Sequence, residues 1–305
     1  MNIFQGLMHR KNEGSMAAQK PAASQLIRPV QGAICLPRKI DVERMPTVFT
    51  KKYPLRGKIP TTYAESDALA VVFDQTGSMS KWPNVFIGKL PFLMSTSEGL
   101  GKYSRLYEVA WGAIGDAHND ESYPVQLCGF TSNIVQARAS LGSLVLEGLG
   151  GGNHGESYDL ALYGLASRLE LAANQRGFAV ILGDEPYFTV IEPGQVGKYF
   201  GERAKFNRIN EAVAALRAKG MDAYAILCDS GVKPAWTELL GRGFVTTLDA
   251  PEKVVEAIVG IMAARVGQGK EFATRLALRA PRELASQVTR ALDELDVRPK
   301  GLLGK

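Results

Sequence analysis

The chain has 305 residues, of which 46% are hydrophobic and 22% are charged, a composition that allows one large domain with extensions or two small domains. It contains no run of about 18 uninterrupted apolar residues, and its first residues include no apolar signal-peptide core, so neither a membrane span nor secretion is expected. The three cysteines are widely separated and lack metal-site spacing, which favours free thiols in a reducing compartment. We therefore expect a cytoplasmic protein without a membrane partner.

The net charge of +5 is concentrated in the first 60 residues, which hold eleven Lys or Arg and three acidic residues, a local charge of +8. The remaining chain therefore carries −3, from 5 − 8. The basic segment contains six prolines and no sustained hydrophobic period, so residues 1–65 are predicted to form an extended basic arm. Because few aromatic side chains lie between its charges, nucleic acid is not the expected partner.

From Ser66 the hydrophobic pattern predicts strands and helices in alternation. The predicted strands are ALAVVFD, LYEVAWGAIGD, YPVQLCGF, FAVILGDE, DAYAILCD and FVTTL. The predicted helices are VFIGKLPFLMSTSEGL, YDLALYGLASRLELAANQ, NRINEAVAALRAKG, a helix around AWTELLGRG, and APEKVVEAIVGIMAARV. This alternation is typical of a doubly wound α/β domain, in which a mainly parallel sheet is covered by helices on both faces.

The domain is predicted to span residues 66–266, followed by a C-terminal helix and tail over residues 267–305. In the segment PRELASQVTRALDEL, apolar side chains recur at helical intervals, at Leu284, Val288, Leu292 and Leu295.

Three polar loops are predicted to share one edge of this sheet, because loops that follow parallel strands meet at the carboxyl edge, where ligands bind. The first loop carries oxygen atoms at alternate positions, on Asp74, Thr76 and Ser78. The second, GLGGGNHGESYDLAL, is rich in glycine and carries Glu156 at the start of a helix. The third, ILGDEP, carries Asp184 directly after a strand.

Hydroxyl and carboxylate oxygens without a thiolate favour a hard divalent cation, because Mg²⁺ takes about six oxygen ligands and tends to keep several waters. The sequence therefore predicts a site for Mg²⁺, or for Mn²⁺ or Ca²⁺, with one position left for an outside ligand. The candidate ligands are Asp74, Thr76, Ser78, Glu156 and Asp184. A competing interpretation is that Asp74, Ser157 and Asp184 only cap helices.

The first and third loops resemble the metal-ion-dependent adhesion site (MIDAS) of the von Willebrand factor A (VWA) family. Asp74, Thr76 and Ser78 are similar to the family motif Asp-x-Ser-x-Ser, with threonine in place of the first serine. Asp184 is similar to the aspartate that ends the family's fourth strand. The resemblance covers roughly residues 66–266 and implies a VWA-like fold.

The middle loop departs from the commoner family pattern, which has a threonine ligand. Here that place falls on Glu156, and the segment GGGNHGES is similar to the glycine-rich version found in integrin β-type domains. Asn153 is the rival ligand in the same loop.

The resemblance implies a function in binding and not in catalysis. In this family an acidic side chain of a protein partner completes the coordination of the cation. Intracellular members often act as adaptors for AAA⁺ ATPases or within multi-protein assemblies, which makes an AAA⁺ ATPase a candidate partner.

A second resemblance points instead to an enzyme. The segment VVFDQTGSM is similar to the nucleophile motif of haloacid-dehalogenase-type phosphatases, and GDAHND is similar to their acidic loop. Asp74 would then be phosphorylated, and Asp116 and Asp120 would hold Mg²⁺. Only 42 positions (116 − 74) separate the two motifs, whereas that fold places two further strand–helix units and a lysine between them. We therefore interpret GDAHND as a surface turn between neighbouring strands.

Two further features lie near the predicted site. His154 lies among glycines, and no acid–base constellation accompanies it in the sequence, so a polar loop residue is expected. Trp82 and Pro83 follow the first loop and are expected to form an apolar rim around the partner's carboxylate.

Overall fold

The computed structural model describes residues 58–61, 67–79, 81–94, 107–119, 121, 123–145 and 155–297. Six strands form one sheet: β2 (Asp67–Asp74), β3 (Tyr107–Ile114), β4 (Val125–Leu127), β6 (Gly177–Gly183), β7 (Met221–Leu227) and β8 (Val245–Thr247). Two short strands, β1 (Ile59–Pro60) and β5 (Leu169–Glu170), form a separate parallel pair. Most of the predicted basic arm lies outside the described residues.

The strand order of the large sheet is β4-β3-β2-β6-β7-β8, and every neighbouring pair is parallel except β3 and β4. The chain starts in the centre at β2, moves outward through β3 and β4, and then crosses to β6 on the other side. The strand order therefore reverses between β2 and β6, and in such sheets ligands bind outside the carboxyl ends of the two strands at this switch point. This is the doubly wound α/β architecture that the sequence predicts.

Helices cover both faces of the sheet, which is why all eight positions of β2 are buried. One face packs against α1 (Trp82–Met94), α2 (Ile134–Gly142), α7 (Val254–Arg265), α8 (Gly269–Arg279) and α9 (Arg282–Asp293). The other face packs against α3 (Tyr158–Arg168), α4 (Pro193–Phe200), α5 (Ile209–Ala218) and α6 (Lys233–Leu240). Alternate residues of β2 enter the two cores, since successive side chains of a strand point to opposite faces.

The structure differs from the predicted elements at several places. The long helix predicted from Tyr158 ends at Arg168, because the next two residues form β5 and pair with β1. Ile59 in β1 is buried in the core, so the end of the predicted arm is attached to the domain. Helices α2 and α4 were not predicted.

Two helices, and not one, follow residue 266. The predicted C-terminal helix corresponds to α9, in which Val288 is fully buried. The additional helix α8 buries Phe272 and Leu276 in the same core. The boundary at residue 266 remains a prediction, since both helices pack onto the core that the sheet builds.

Two further findings concern membrane-spanning helices and cysteines. Across the described ranges, no helix combines the length and the apolar character needed to cross a membrane. Cys128 and Cys228 are free thiols, the first buried and the second partly buried.

Candidate functional site

The three predicted loops meet at the switch point of the sheet. Asp74 is the last residue of β2, and Asp184 directly follows β6, which is the fourth strand of the large sheet in chain order. Backbone hydrogen bonds attach the start of α3 to its neighbours: the Glu156 N–H donates to the Pro186 carbonyl at 3.2 Å, and the Ser157 N–H donates to the Gly115 carbonyl at 3.1 Å. The fold therefore brings Asp74, Glu156 and Asp184 to one edge, as the sequence predicts.

The Asp74 carboxylate is fully buried and held at both oxygens. Its Oδ1 accepts hydrogen bonds from the backbone N–H and the hydroxyl of Thr76, both at 2.7 Å. Its Oδ2 accepts a hydrogen bond from the Tyr158 hydroxyl at 2.8 Å. Burial raises the pKa of Asp74 to about 6, although these hydrogen bonds act in the opposite direction. Since two carboxylate oxygens offer about four acceptor positions, one remains for a cation or its bound water.

Glu156 is buried among other acids. It is 4% exposed, and no described residue donates a hydrogen bond to its Oε2 atom. Burial raises the pKa of Glu156 to about 9, and the negative charges of four neighbouring acids add to the effect. These neighbours are Asp74, Asp116, Glu121 and Glu185. The balance of charge at this edge therefore favours a bound cation.

Two aspartates carry further buried oxygens in this region. Asp184 Oδ1 and Asp116 Oδ2 have no hydrogen-bond donor among the described residues. Asp116 Oδ1 accepts the His118 backbone N–H at 2.8 Å, the local bond of a turn-forming aspartate, and β3 and β4 are adjacent, as predicted. The sequence interpretation nevertheless missed that Asp116 is fully buried and acts electrostatically on Glu156. Asp120 lies outside the described residues.

The residues at this edge fit an oxygen-preferring divalent cation. A buried carboxylate oxygen without a donor is costly, and a cation or the waters bound to it would supply partners for the oxygens of Glu156, Asp184 and Asp116. In the described ranges, no three His, Cys, Asp or Glu side chains converge closely enough to form a metal cluster alone. A cation here would therefore also need hydroxyl and water ligands, which Mg²⁺ accepts and for which Thr76 is placed. The Ser78 side chain, Asn153 and His154 lie outside the described part.

The predicted apolar rim is wrong. Trp82, the first residue of α1, is 3% exposed and belongs to the hydrophobic core on one face of the sheet. Pro83 is also buried. An aromatic contact found at this edge is between His118 and Phe188, whose ring centroids are 4.1 Å apart. Gly155 has a φ of +131°, and a Cβ there would press against the Phe188 ring and the Pro186 carbonyl, so this turn requires glycine.

No family model matches the chain, and no curated protein matches it. Among solved structures, the pilus adhesin SpaC from Lactobacillus rhamnosus GG, in an open conformation, is similar at 13% identity and a TM-score of 0.46, over 71% of this chain and 31% of its own. Proximal thread matrix protein 1 from the mussel byssus, with a zinc-occupied MIDAS motif, is similar at 11% identity and a TM-score of 0.45, over 65% and 48%. A von Willebrand factor type A structure from Catenulispora acidiphila is similar at 14% identity and a TM-score of 0.40, over 72% and 50%. The chain spans half or less of the length of these structures.

The strand order and the three loops define the class of fold. The sheet is doubly wound, helices cover both faces, and aspartates follow its first and fourth strands in the order that the sequence resemblance implies. The chain therefore has a VWA-like fold. The assignment of individual residues as cation ligands remains a prediction.

One buried acid near the site leads to a prediction about pH. Asp159, in the first turn of α3, is fully buried, and no side chain among the described residues donates to its carboxylate, which meets only the backbone N–H groups of Asp159 and Leu160. Burial raises the pKa of Asp159 to about 8. Above pH 4 the unfolded chain loses this proton while the folded protein keeps it, so stability falls as pH rises and the full penalty is reached above pH 8.

We expect Asp159→Asn to remove this part of the pH dependence. Between pH 5 and pH 9, the free energy of unfolding should fall by roughly 2 to 4 kcal/mol less in the variant than in the unmodified protein. Urea denaturation followed by circular dichroism at each pH measures the difference. Parallel pH profiles for the two proteins would contradict the prediction.

Proposed function

We propose that this protein is a divalent-cation-dependent protein-binding module, in which an acidic side chain of the partner completes the coordination of Mg²⁺ at the carboxyl edge of the sheet. The observation that carries the proposal is the set of buried carboxylate oxygens without donors at the switch point, on Glu156, Asp184 and Asp116. A bound cation would supply the electrophilic centre that attracts the partner's carboxylate.

The chain's own residues would divide this work. Asp74, Thr76, Ser78, Glu156 and Asp184 would hold the cation, directly or through water. Once a cation displaces the proton of Glu156, Asp74, Glu156 and Asp184 would carry three negative charges and leave a divalent ion with about one net negative charge. The attraction for an acidic partner is then weaker than at a site with a neutral threonine, and contacts around the site must contribute more.

We further propose an intracellular setting, with an AAA⁺ ATPase or another component of a multi-protein assembly as the partner. This part of the proposal follows from the family resemblance. The same resemblance favours binding without catalysis.

The phosphatase interpretation finds less support in the contacts of Asp74. Among the described residues, the donors to this carboxylate are Thr76 and Tyr158, and no lysine donates to it. Lys89, one of the lysines between the two acidic motifs, instead pairs with Glu256 at 2.6 Å.

We expect Mg²⁺ and Mn²⁺ to stabilise the protein against heat, because the unfolded chain has no preformed site. At a hundredfold excess over Kd the stabilisation is about 2.7 kcal/mol, or roughly 5 to 10 °C in Tm for a domain of this size. The increase should disappear with EDTA and in Asp74→Ala. Partner capture repeated with Mg²⁺, with EDTA and with Asp74→Ala then tests the binding role. A Tm that does not respond to millimolar Mg²⁺ or Mn²⁺ in the unmodified protein would refute the proposal.

A further inference from the structure

The Tyr158 hydroxyl makes a contact with Asp74 that the sequence pattern does not indicate. We propose that Tyr158 is a positioning residue of the cation site, which fixes the orientation of the Asp74 carboxylate and is itself held by Trp236. The inference rests on the proposed function, since it concerns the affinity of the same site for its cation.

The contacts of Asp74 show how this positioning works. Tyr158 is the first residue of α3 and is fully buried, and its hydroxyl donates to Asp74 Oδ2 at 2.8 Å. Thr76 supplies two donors to Asp74 Oδ1. With donors on both oxygens, the carboxylate cannot rotate without breaking hydrogen bonds, so its remaining acceptor position keeps one direction. Removal of the tyrosine hydroxyl would free one of the two oxygens.

The sheet leaves space for this hydroxyl. Gly183 is the last residue of β6 and directly precedes Asp184. A Cβ at Gly183 would overlap the Tyr158 hydroxyl and press on its ring. The missing side chain therefore lets the phenol reach across the end of β6 to β2, between two of the predicted ligands.

Trp236 fixes the ring of Tyr158 from the other side. The two rings meet edge to face, with centroids 5.0 Å apart and an interplanar angle of 84°. Trp236 is fully buried, and its Nε1 donates to the Glu185 carbonyl at 3.1 Å. A second bond, from the Tyr187 hydroxyl to the Ala235 carbonyl at 3.0 Å, ties the same loop to α6. Helix α6 thus anchors both Tyr158 and the loop that carries Asp184.

The chain offers a matched control for the loss of one buried hydroxyl. Tyr163 lies on the same helix and is fully buried, and its hydroxyl donates to Glu202 at 2.8 Å. Glu202 belongs to an ion-pair cluster with Arg168 and Lys205, and none of these residues is a predicted cation ligand. Tyr163→Phe therefore removes a comparable hydrogen bond without touching Asp74.

The test is a calorimetric titration of Mn²⁺ into the unmodified protein, Tyr158→Phe and Tyr163→Phe. Groups that orient metal ligands contribute about 10- to 100-fold to metal affinity, so Tyr158→Phe should raise the Kd for Mn²⁺ by that factor. Tyr163→Phe should leave the Kd within about twofold, because its hydroxyl lies outside the site. Urea denaturation of each variant shows whether the proteins titrated are folded.

A second measurement separates positioning from general loosening of the structure. Tb³⁺ prefers oxygen ligands, and its luminescence lifetimes in H₂O and D₂O report how many waters remain on the bound ion. We expect this number to change in Tyr158→Phe and to stay constant in Tyr163→Phe. Trp236→Phe keeps the hydroxyl but loses the bond to Glu185, and it should also weaken Mn²⁺ binding.

The outcomes distinguish this inference from the function on which it rests. If the unmodified protein binds Mn²⁺ and Tyr158→Phe binds it equally well, Tyr158 has no positioning role and the proposed function stands. Equal losses in Tyr158→Phe and Tyr163→Phe also refute positioning, since the effect is then one of general stability. If the unmodified protein binds neither Mn²⁺ nor Tb³⁺, the cation site fails and this inference fails with it.

Discussion

Glutamine in place of Glu156 should stabilise the cation-free protein and remove its response to Mn²⁺. The carboxylate is buried among other acids, which raises its pKa to about 9, so the folded protein bears a cost for this group at neutral pH. An uncharged amide of the same shape avoids that cost, and we expect a gain of about 1 to 2 kcal/mol in the free energy of unfolding at pH 7. The gain in stability should grow as the pH rises toward 9, because the folded protein with Glu156 must keep a proton that the unfolded chain has already lost.

The same substitution should cost at least about a hundredfold in Mn²⁺ affinity, since groups that only orient ligands already contribute 10- to 100-fold. Glu185→Gln is the matched control: it removes another of the acids whose charge acts on Glu156, at a residue that is not a predicted ligand. This control should keep the Mn²⁺ response. Urea denaturation without cation, and calorimetry with Mn²⁺, measure the two effects separately.

Two further variants decide which residue of the middle loop is the ligand. Glu156→Thr restores the neutral ligand commoner in the family, and it should keep the cation while strengthening the attraction for an acidic ligand. Asn153→Ala should change little. The assignment of Glu156 as the ligand is wrong if Asn153→Ala loses Mn²⁺ binding and Glu156→Gln keeps it.

If Asp74 and Glu156 hold a cation, neutral residues at these positions should stabilise the cation-free protein and weaken cation binding. Asp74 and Glu156 both have raised pKa values because burial disfavours their charged forms. A fold that used this edge only for structural support would gain from neutral residues at these places. The proposed cation would offset this cost, which capping of helices would not.

The sequence predicted the parts of this site that depend on strand order. Asp74 and Asp184 each follow a run of buried apolar residues, and parallel strands bring such positions to one edge whatever their separation along the chain. The start of α3 could be placed as well, since glycines precede Glu156 and an apolar helical pattern follows it. Local pattern and one topological rule were sufficient for these three loops.

The missed features depend on contacts between distant segments. Tyr158 reads as an ordinary core residue, because its hydrogen-bond partner Asp74 lies 84 positions away. The predicted helix from Tyr158 ran too far because Leu169 and Glu170 pair with Ile59 and Pro60, which no local pattern shows.

Other misses had a local signal that could have been used. Asn133 caps α2, because its side-chain oxygen accepts hydrogen bonds from the backbone N–H groups of Val135 and Gln136. Asparagine is a favoured residue at the N-cap of a helix. Helix α4 has Pro193 at its start and Gly201 in a left-handed conformation after its end, a common pair of helix boundaries. Trp82 was expected at a rim because it follows the first loop, but the turn into α1 directs it into the core.

At the opposite edge of the sheet, we expect substitution of Arg265 to lower stability strongly without changing cation binding. Arg265, at the end of α7, is buried and donates to Asp222 Oδ2 at 2.6 Å and to the Gly177 carbonyl at 3.1 Å. Its guanidinium also lies over the Phe178 ring, 5.1 Å from the centroid. These contacts join α7 to the first residues of β6 and β7. Arg265→Met would remove the Arg265 ion pair from the buried Asp222 carboxylate.

We expect Arg265→Met to lower the free energy of unfolding by about 3 to 5 kcal/mol, because breaking a buried ion pair strands the other charge. That is a large part of the roughly 5 to 15 kcal/mol typical of a folded domain. The double variant Arg265→Met with Asp222→Leu should recover most of the loss, since neither member of the pair then remains. Urea denaturation of Arg265→Met, Asp222→Leu and the double variant measures the coupling. The Kd of the folded protein for Mn²⁺ should stay unchanged in all of them, because the pair lies at the amino ends of the strands. A double variant no more stable than Arg265→Met would show that the arginine acts through packing on Phe178 and Gly177 and not through its charge.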